Sequence, residues 1–264
     1  MYEHYIYITI ILQLSKNQIK MVNRMKINPQ RCVGCALCLP YCPEGAITMS
    51  RERKAVINRD KCIECTVCYN SSVCPVDAFE IEKLEYPRSV REVFATVYKA
   101  HGQTNVPGRG TEEMKTNDVT GRFKLGEIGF SVDMGRPGVG VDLVDAEKVT
   151  MALAKLGVEF EPENPITFLM KDVKTGELKE EVKGERVHSC IPEFKTKIER
   201  MPEILDALKE VSQKINSVFS LGCCIKLNPD GSIPEFVLQT LKEKNISYYP
   251  NAKTNVGLGR PLVE

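Results

Sequence analysis

The sequence predicts an α+β protein built from two units, a small cysteine-rich unit followed by a larger α/β sandwich. The chain has 264 residues, which is long enough for two domains that each bury a core. Eight of its 11 cysteines lie between Cys32 and Cys74. Beyond residue 124, strand-like and helix-like hydrophobic patterns follow one another in the order βαββαβ, with one further helix and strand.

Composition excludes several classes of protein. Hydrophobic residues make up 42% of the chain and charged residues 27%, with 36 basic against 35 acidic residues, which is typical of a globular protein and gives no basic excess for nucleic acid. The apolar run from Tyr5 to Leu14 is half of the roughly twenty residues that a membrane-spanning helix needs. Its positive charges follow the run, whereas those of a signal peptide precede it. We therefore expect no nucleic-acid partner, no membrane span and a cytoplasmic location, where thiols stay reduced.

Residues 1–24 are interpreted as an N-terminal extension. Met21 and Met25 lie just before the first predicted strand, so the preceding residues could result from an upstream start codon. The alternative is a short amphipathic anchor or a docking strand.

Two cysteine motifs form an internal repeat with a period of about thirty residues. Cys32-x2-Cys35-x2-Cys38-x3-Cys42-Pro43 is followed by Cys62-x2-Cys65-x2-Cys68-x5-Cys74-Pro75. Three thiolates at this spacing can wrap three corners of a cubane cluster, and the fourth must come from elsewhere because the short loop cannot close around the last iron. Small residues between the cysteines (Gly34, Ala36 and Thr66) leave room for backbone N–H groups near the sulfurs.

The pattern resembles the bacterial-type two-cluster ferredoxin over residues 25–84, including four short flanking strands. The resemblance implies two [4Fe–4S] clusters, electron transfer as the function, and exchange of the fourth cysteine between the motifs. It assigns Cys32, Cys35, Cys38 and Cys74 to one cluster, and Cys62, Cys65, Cys68 and Cys42 to the other. Paired zinc sites are the alternative, which the motif shape disfavours. Five residues, Tyr69 to Val73, stand where the family has three. We expect them to alter the exposure or potential of the first cluster without removing a ligand.

Residues 85–124 are predicted to be a linker helix and a polar, Gly/Arg-rich loop. The helix carries an apolar stripe (Val90, Val93, Phe94, Val97 and Tyr98) that would pack the two units together. Thr-Asn and Gly-Arg pairs recur in the loop and near the C-terminus. If these segments converge, they would bind a small anionic ligand or cofactor through Arg109, Asn117, Arg122, Arg136 and Arg260. The alternative is ordinary turn chemistry with paired or solvated arginines.

Residues 125–264 are predicted to form the α/β domain, with the ferredoxin-like split βαβ topology. The expected strands are 128–134, 166–170, 181–191, 218–227 and 246–249, and the expected helices contain Val149 to Leu156, begin at Pro202, and span 234–244. Cys190, Cys223 and Cys224 would form a third metal or redox site if their two strands are neighbours; the alternative is buried apolar cysteines.

Three functions are compatible with these patterns. The favoured one is an electron-transfer subunit that docks on a larger redox enzyme, because residues 25–84 hold eight basic against seven acidic residues, whereas freely diffusing ferredoxins of this family are strongly acidic. The second is an oxidoreductase or reductive activator that acts on a small anion at the Gly-Arg loops. The third is a small-molecule-sensing domain that gates the clusters. Abundant Lys and Ile and the absence of Trp would suit an anaerobe.

Overall fold

The computed structural model describes residues 23–95, 122–135, 140–228 and 230–248. The strands are β1 (Asn23–Ile27), β2 (Ile47–Met49), β3 (Ala55–Ile57), β4 (Phe79–Lys83), β5 (Glu127–Met134), β6 (Val141–Asp142), β7 (Glu159–Phe160), β8 (Met170–Asp172), β9 (Glu177–Leu178), β10 (Arg186–Val187), β11 (Glu193–Lys197) and β12 (Phe219–Cys224). The helices are α1 (Val67–Asn70), α2 (Ser89–Ala95), α3 (Leu143–Ala154), α4 (Pro165–Leu169), α5 (Met201–Ser212) and α6 (Glu235–Glu243), and 3-10 turns cover Leu39–Tyr41, Glu180–Val182 and Ile198–Arg200.

The first unit consists of two short antiparallel ribbons. β1 pairs with β4, with Met25 opposite Ile81, and β2 pairs with β3, with Thr48 opposite Val56. Its apolar core is small and is made by Met25, Cys32, Cys38, Ile47, Ala55, Ala78 and Phe79. Because so little apolar surface is buried, we expect this unit to depend on bound metal for stability.

The larger unit is organised around one four-stranded sheet. Its strand order is β12-β5-β11-β7, and every neighbouring pair is antiparallel. β5 is central because four alternating side chains are completely buried: Ile128, Phe130, Val132 and Met134. They join one core with residues of α3 and α5, two helices that contact each other. The Phe130 and Phe194 rings stack at 5.3 Å, which fixes β5 against β11.

The two long helices of this unit follow their sequence signals. α5 carries Pro202 in its first turn and buries Ile204, Leu205, Leu208 and Val211, four of the five residues predicted for its apolar face. The fifth, Ile215, lies beyond the end of the helix at Ser212. α3 is followed by Gly157 at φ +64°, a left-handed position that a glycine adopts without strain.

One predicted strand is wrong. Residues 166–170 form mostly α4, because the side chain of Asn164 accepts a hydrogen bond from the backbone N–H of Ile166 at 3.0 Å and Pro165 occupies the first helical turn. An N-cap followed by proline therefore overrides the β-branched residues of this segment.

The strands predicted at 181–191 and 246–249 are also wrong. The first segment holds a 3-10 turn and the two-residue β10, and the sheet strand is β11, which begins after Pro192 because proline has no N–H to donate. The edge strand next to β11, β7, was not predicted, since two residues are too few to show a hydrophobic period. Residues 246–248 are not extended into a strand, and 249 lies outside the described residues.

Helix α2 joins the two units, as its apolar stripe predicts. Val90 and Phe94 are buried in the core of the larger unit. Val97 and Tyr98 lie outside the described residues, as does the predicted extension up to residue 22, although β1 begins within it at Asn23. Among the described helices none is both long and apolar enough to cross a bilayer.

Candidate metal centre

The cysteine repeat surrounds two cavities of similar size. One has a volume of about 340 Å³ and is lined by Cys32, Cys35, Cys38 and Cys74. The other has a volume of about 360 Å³ and is lined by Cys62, Cys65, Cys68 and Cys42. We call these the first and the second cavity. Each receives three cysteines from one motif and the fourth from the other motif. The described ranges contain no group of three or more His, Cys, Asp or Glu side chains suited to a single metal ion.

The longer spacing in the second motif leaves its last cysteine on the first cavity. The inserted residues are accommodated by α1 and by Ser72, which takes a left-handed conformation at φ +51°. Val73 and Val76 line the first cavity on either side of Cys74. The insertion therefore changes the wall of the first cavity but does not remove Cys74 from it.

An asparagine before each motif sets up the loop, a feature that the sequence reasoning missed. The side chain of Asn28 accepts hydrogen bonds from the N–H groups of Gln30 and Arg31, and that of Asn58 does the same for Asp60 and Lys61. The carbonyl oxygens of the two asparagines accept the N–H groups of the first cysteines, both at 3.0 Å. The period of thirty residues between the asparagines is the signal that could have revealed this role.

Backbone N–H groups point at three of the cysteine sulfurs. Ala46 donates to Cys42 Sγ and Ala78 to Cys74 Sγ, both at 3.2 Å, and Ala55 donates to Cys32 Sγ at 3.4 Å. Two of the donors follow the last cysteine of a motif by four residues, and the third, Ala55, belongs to β3. N–H donors to sulfur stabilise negative charge on a thiolate ligand.

The cavities disfavour free thiolates. Burial raises the pKa of Cys68 to about 12 and that of Cys62 to about 11, and it also raises the pKa values of Cys38 and Cys65. Four thiolates can coexist in such a cavity only with positive charge among them, which the iron ions of a cluster supply. The cysteine sets and the N–H donors therefore fit [4Fe–4S] groups.

The two motifs differ at the second residue after their first cysteine, where the second motif has a buried glutamate and the first motif a glycine. Glu64 of the second motif is completely buried, whereas the first motif has Gly34. The carboxylate of Glu64 accepts hydrogen bonds from the N–H of Met25 at 3.0 Å, from Arg59 at 3.2 Å and from two nitrogens of Arg88 at 2.8 and 2.9 Å. The carboxylate thus ties β1 and the start of α2 to the second loop.

An arginine within α2 connects the same loop to the larger unit. Arg91 is 4% exposed, and its guanidinium donates to the carbonyl oxygens of Asp60 and Cys62 at 2.9 and 2.8 Å and forms an ion pair with Glu185. Arg186 adds a further bridge, to Glu44 at 3.2 Å. The larger unit therefore packs on the side of the second cavity.

The predicted anion site has one member within the described residues. Arg122 forms ion pairs with Glu161 at 3.3 Å and Glu163 at 3.1 Å. Arg122 therefore follows the alternative in which the arginines are paired with carboxylates. Its two partners are distant from it in the sequence. The remaining predicted ligand residues lie outside the described residues: Arg109, Asn117, Arg136 and Arg260.

The three cysteines of the larger unit do not meet. The backbone of Cys190 forms a β-bridge with Met134 at one end of β5, whereas Cys223 is opposite Phe130 of the same strand. Met134 and Phe130 are four residues apart, or about 13 Å along a strand. Cys190 is completely buried, which raises its pKa to about 12. Cys190 is therefore an apolar packing residue, and the three cysteines do not form a third cluster site.

Gly34 offers a test of the first loop. It has φ +73°, and a Cβ built on it would lie 2.1 Å from the carbonyl oxygen of Arg53. Gly45 has φ +58° but open space around it. We expect Gly45→Ala to cost about 1–2 kcal/mol through its backbone conformation and Gly34→Ala to cost a further 1–3 kcal/mol or so through overpacking. Anaerobic denaturation of the two variants measures the difference, and equal midpoints would contradict the described loop.

Comparison with known proteins identifies the cysteine-rich segment. Residues 31–78 match the model of the 4Fe-4S dicluster domain. The pyruvate synthase subunit PorD of Methanocaldococcus jannaschii is 38% identical over 52 residues, 20% of this chain and 58% of that protein. Ferredoxin YfhL of Escherichia coli is 40% identical over 45 residues, 17% of this chain and 51% of that protein. Ferredoxin-1 of Rhodobacter capsulatus is 46% identical over 41 residues, 16% of this chain and 62% of that protein.

The family model covers residues 31–78, within the first unit, and each of these relatives is matched over 52 residues or fewer. The chain spans little more than half the length of these relatives, and no solved structure matches it. The resemblance to bacterial-type ferredoxins is confirmed for this segment. The chain therefore contains an iron–sulfur, ferredoxin-type electron-transfer segment of the 4Fe-4S class, and the remainder is not recognised.

Proposed function

We propose that the chain is an electron-transfer protein that carries two [4Fe–4S] clusters and serves a larger redox enzyme. Cys32, Cys35, Cys38 and Cys74 would hold the first cluster, and Cys62, Cys65, Cys68 and Cys42 the second. The observation that carries the proposal is the exchange of the fourth cysteine between the motifs in the two cavities. This arrangement is the one expected of a two-cluster site.

The clusters, when bound, supply reversible one-electron chemistry at low potential. The residues of the chain hold and tune them. Apolar side chains such as Ile47 and Phe79 keep water from the cavities, and the N–H groups of Ala46 and Ala78 donate to cysteine sulfur. Both effects adjust the potential at which electrons are accepted.

The client enzyme is proposed from the relatives. Three of them, from Methanocaldococcus jannaschii, Methanothermobacter marburgensis and Thermotoga maritima, are named as a subunit of pyruvate synthase. We therefore infer a client of this kind, an enzyme that exchanges electrons with a 2-oxoacid. The near balance of charge over residues 25–84 and the attachment to a larger unit support a docked role.

For the larger unit, residues 125–264, we propose a split βαβ sandwich that docks the client. Its strand order β12-β5-β11-β7 supports this, since it places the first and third strands of a βαββαβ chain at the centre. The contact between α3 and α5 supports it as well. Residues 85–124 would then be the linker between the two domains, and residues 1–24 the extension before the first.

The experiment uses the complete chain, purified without oxygen and loaded with iron and sulfide. A catalytic amount of pyruvate synthase is added with pyruvate and coenzyme A, and the visible absorption of the chain is followed. Dithionite reduction of a second sample gives the full extent of bleaching. We expect pyruvate to bleach the chain to nearly the same extent as dithionite.

Bleaching by dithionite alone would contradict the proposed client, and bleaching by neither reductant would contradict electron transfer. Turnover of a small anion by the chain alone, lost in Arg122→Ala, would favour the oxidoreductase alternative and overturn the proposal.

A further inference from the structure

We propose that the first cysteine loop, residues 32–38, is the face on which an external redox protein docks, and that this partner has an apolar centre with an acidic rim. The inference rests on the proposed electron-transfer function and deepens it by naming the contact surface and the chemistry of the partner. The internal repeat provides the argument, because every position of the first loop has a counterpart thirty residues later.

The two loops differ in exposure between their first and second cysteines, where the first loop is open and its counterpart is closed. Val33 is 63% exposed, whereas Ile63, at the same place in the second loop, is 2% exposed. Cys35 is exposed, whereas Cys65 is half-buried. Because Arg88, just before α2, and Arg91, within α2, contact the second loop, another protein cannot reach the second cavity from that side. The equivalent side of the first cavity has no such helix among the described residues.

The centre of the open face is apolar. Val33 and Leu37, which is 51% exposed, both line the first cavity and both reach solvent. Exposed apolar side chains beside a redox centre allow a partner to approach closely and exclude water from the contact. A short, dry contact is what electron exchange between two proteins requires.

The rim of this face is basic. The turn Arg51–Lys54 carries three basic residues and one acidic residue, and it lies against the first loop, since the carbonyl oxygen of Arg53 fills the space beside Gly34. The side chains of Arg51 and Arg53 are exposed, and Lys54 donates to the carbonyl oxygen of Cys32. Charge complementarity therefore selects a partner with acidic residues around its own redox centre.

The proposed step is the transfer of one electron, and no covalent bond to this chain forms or breaks. One electron passes from the reduced chain to the redox group of the partner. If that group is a flavin, it becomes a semiquinone and takes one proton from solvent. The contributions of this chain are the open loop, the apolar contact and the basic rim.

The test uses an acidic flavodoxin as the probe and measures its dissociation constant at low and high salt, with iron-loaded chain. Arg53→Glu is compared with Lys61→Glu, which reverses another exposed charge, beside the second motif. Leu37→Gln is compared with Val67→Gln, since Val67 is the counterpart of Leu37 and is 44% exposed. Iron content and dithionite bleaching are recorded for every variant, so failure of the electron-transfer function itself is seen separately.

We expect Arg53→Glu and Leu37→Gln to weaken flavodoxin binding about five- to tenfold, and Lys61→Glu and Val67→Gln to change it less than about twofold. Binding to the unmodified chain should weaken with salt, and this dependence should be smaller in Arg53→Glu. Equal effects of the paired variants, salt-independent binding, no binding of flavodoxin at low salt, or tighter binding of a basic cytochrome c would each overturn the proposal.

Discussion

Replacing Cys35 and Cys74 together by alanine is expected to halve the iron content of the chain. Both line the first cavity although they belong to different motifs, so the second cavity keeps all its cysteines. Iron should fall from about eight to about four per chain, because each cluster contains four iron ions.

The matched variant replaces Cys35 and Cys42, which belong to the same motif but line different cavities. It should remove a ligand from both clusters and leave almost no iron. Iron and sulfide analysis of the two double variants, with circular dichroism to confirm that the larger unit folds in both, decides between the arrangements. If each motif held its own cluster, the two results would be interchanged, and the crossed arrangement would be wrong.

Replacing Glu64 by alanine is expected to destabilise the chain strongly. The carboxylate is completely buried and compensates Arg59 and Arg88, and its removal takes the negative charge away from both guanidinium groups. Breaking a buried ion pair in this way costs about 3–5 kcal/mol. The control is Glu82→Ala, whose exposed ion pair with Lys26 in the same unit is worth about 0–1 kcal/mol.

Anaerobic denaturation, followed by the loss of cluster absorption, measures both variants. The midpoint of Glu64→Ala should lie well below that of Glu82→Ala. Similar midpoints would show that the buried network does not support the second loop.

The cysteine motifs were predictable because their spacing alone limits the geometry of the ligands. The position of Glu64 was not recognised, although it could have been: aligning the two halves of the repeat sets Val33 and Gly34 against Ile63 and Glu64. A glutamate inside an apolar loop needs a cationic partner, and Arg88 and Arg91 follow at the start of the predicted linker helix. Which face those arginines would cover depends on the packing of α2, which the sequence does not specify.

In the larger unit, long periodic segments were predicted well and short ones were not. β5 and α5 bury complete apolar faces, so their patterns are decisive. By contrast, β7 contains two residues, and β11 has an irregular entry at Pro192 whose carbonyl oxygen accepts from Val132. Such strands are defined by the neighbours they pair with rather than by their own sequence.

The most direct test of the two-cluster proposal is iron and sulfide analysis of the anaerobically purified chain, combined with electron paramagnetic resonance after dithionite reduction. We expect about eight iron and eight sulfide per chain and signals from two clusters close enough to interact. About four iron, about twelve, or zinc in place of iron would contradict it.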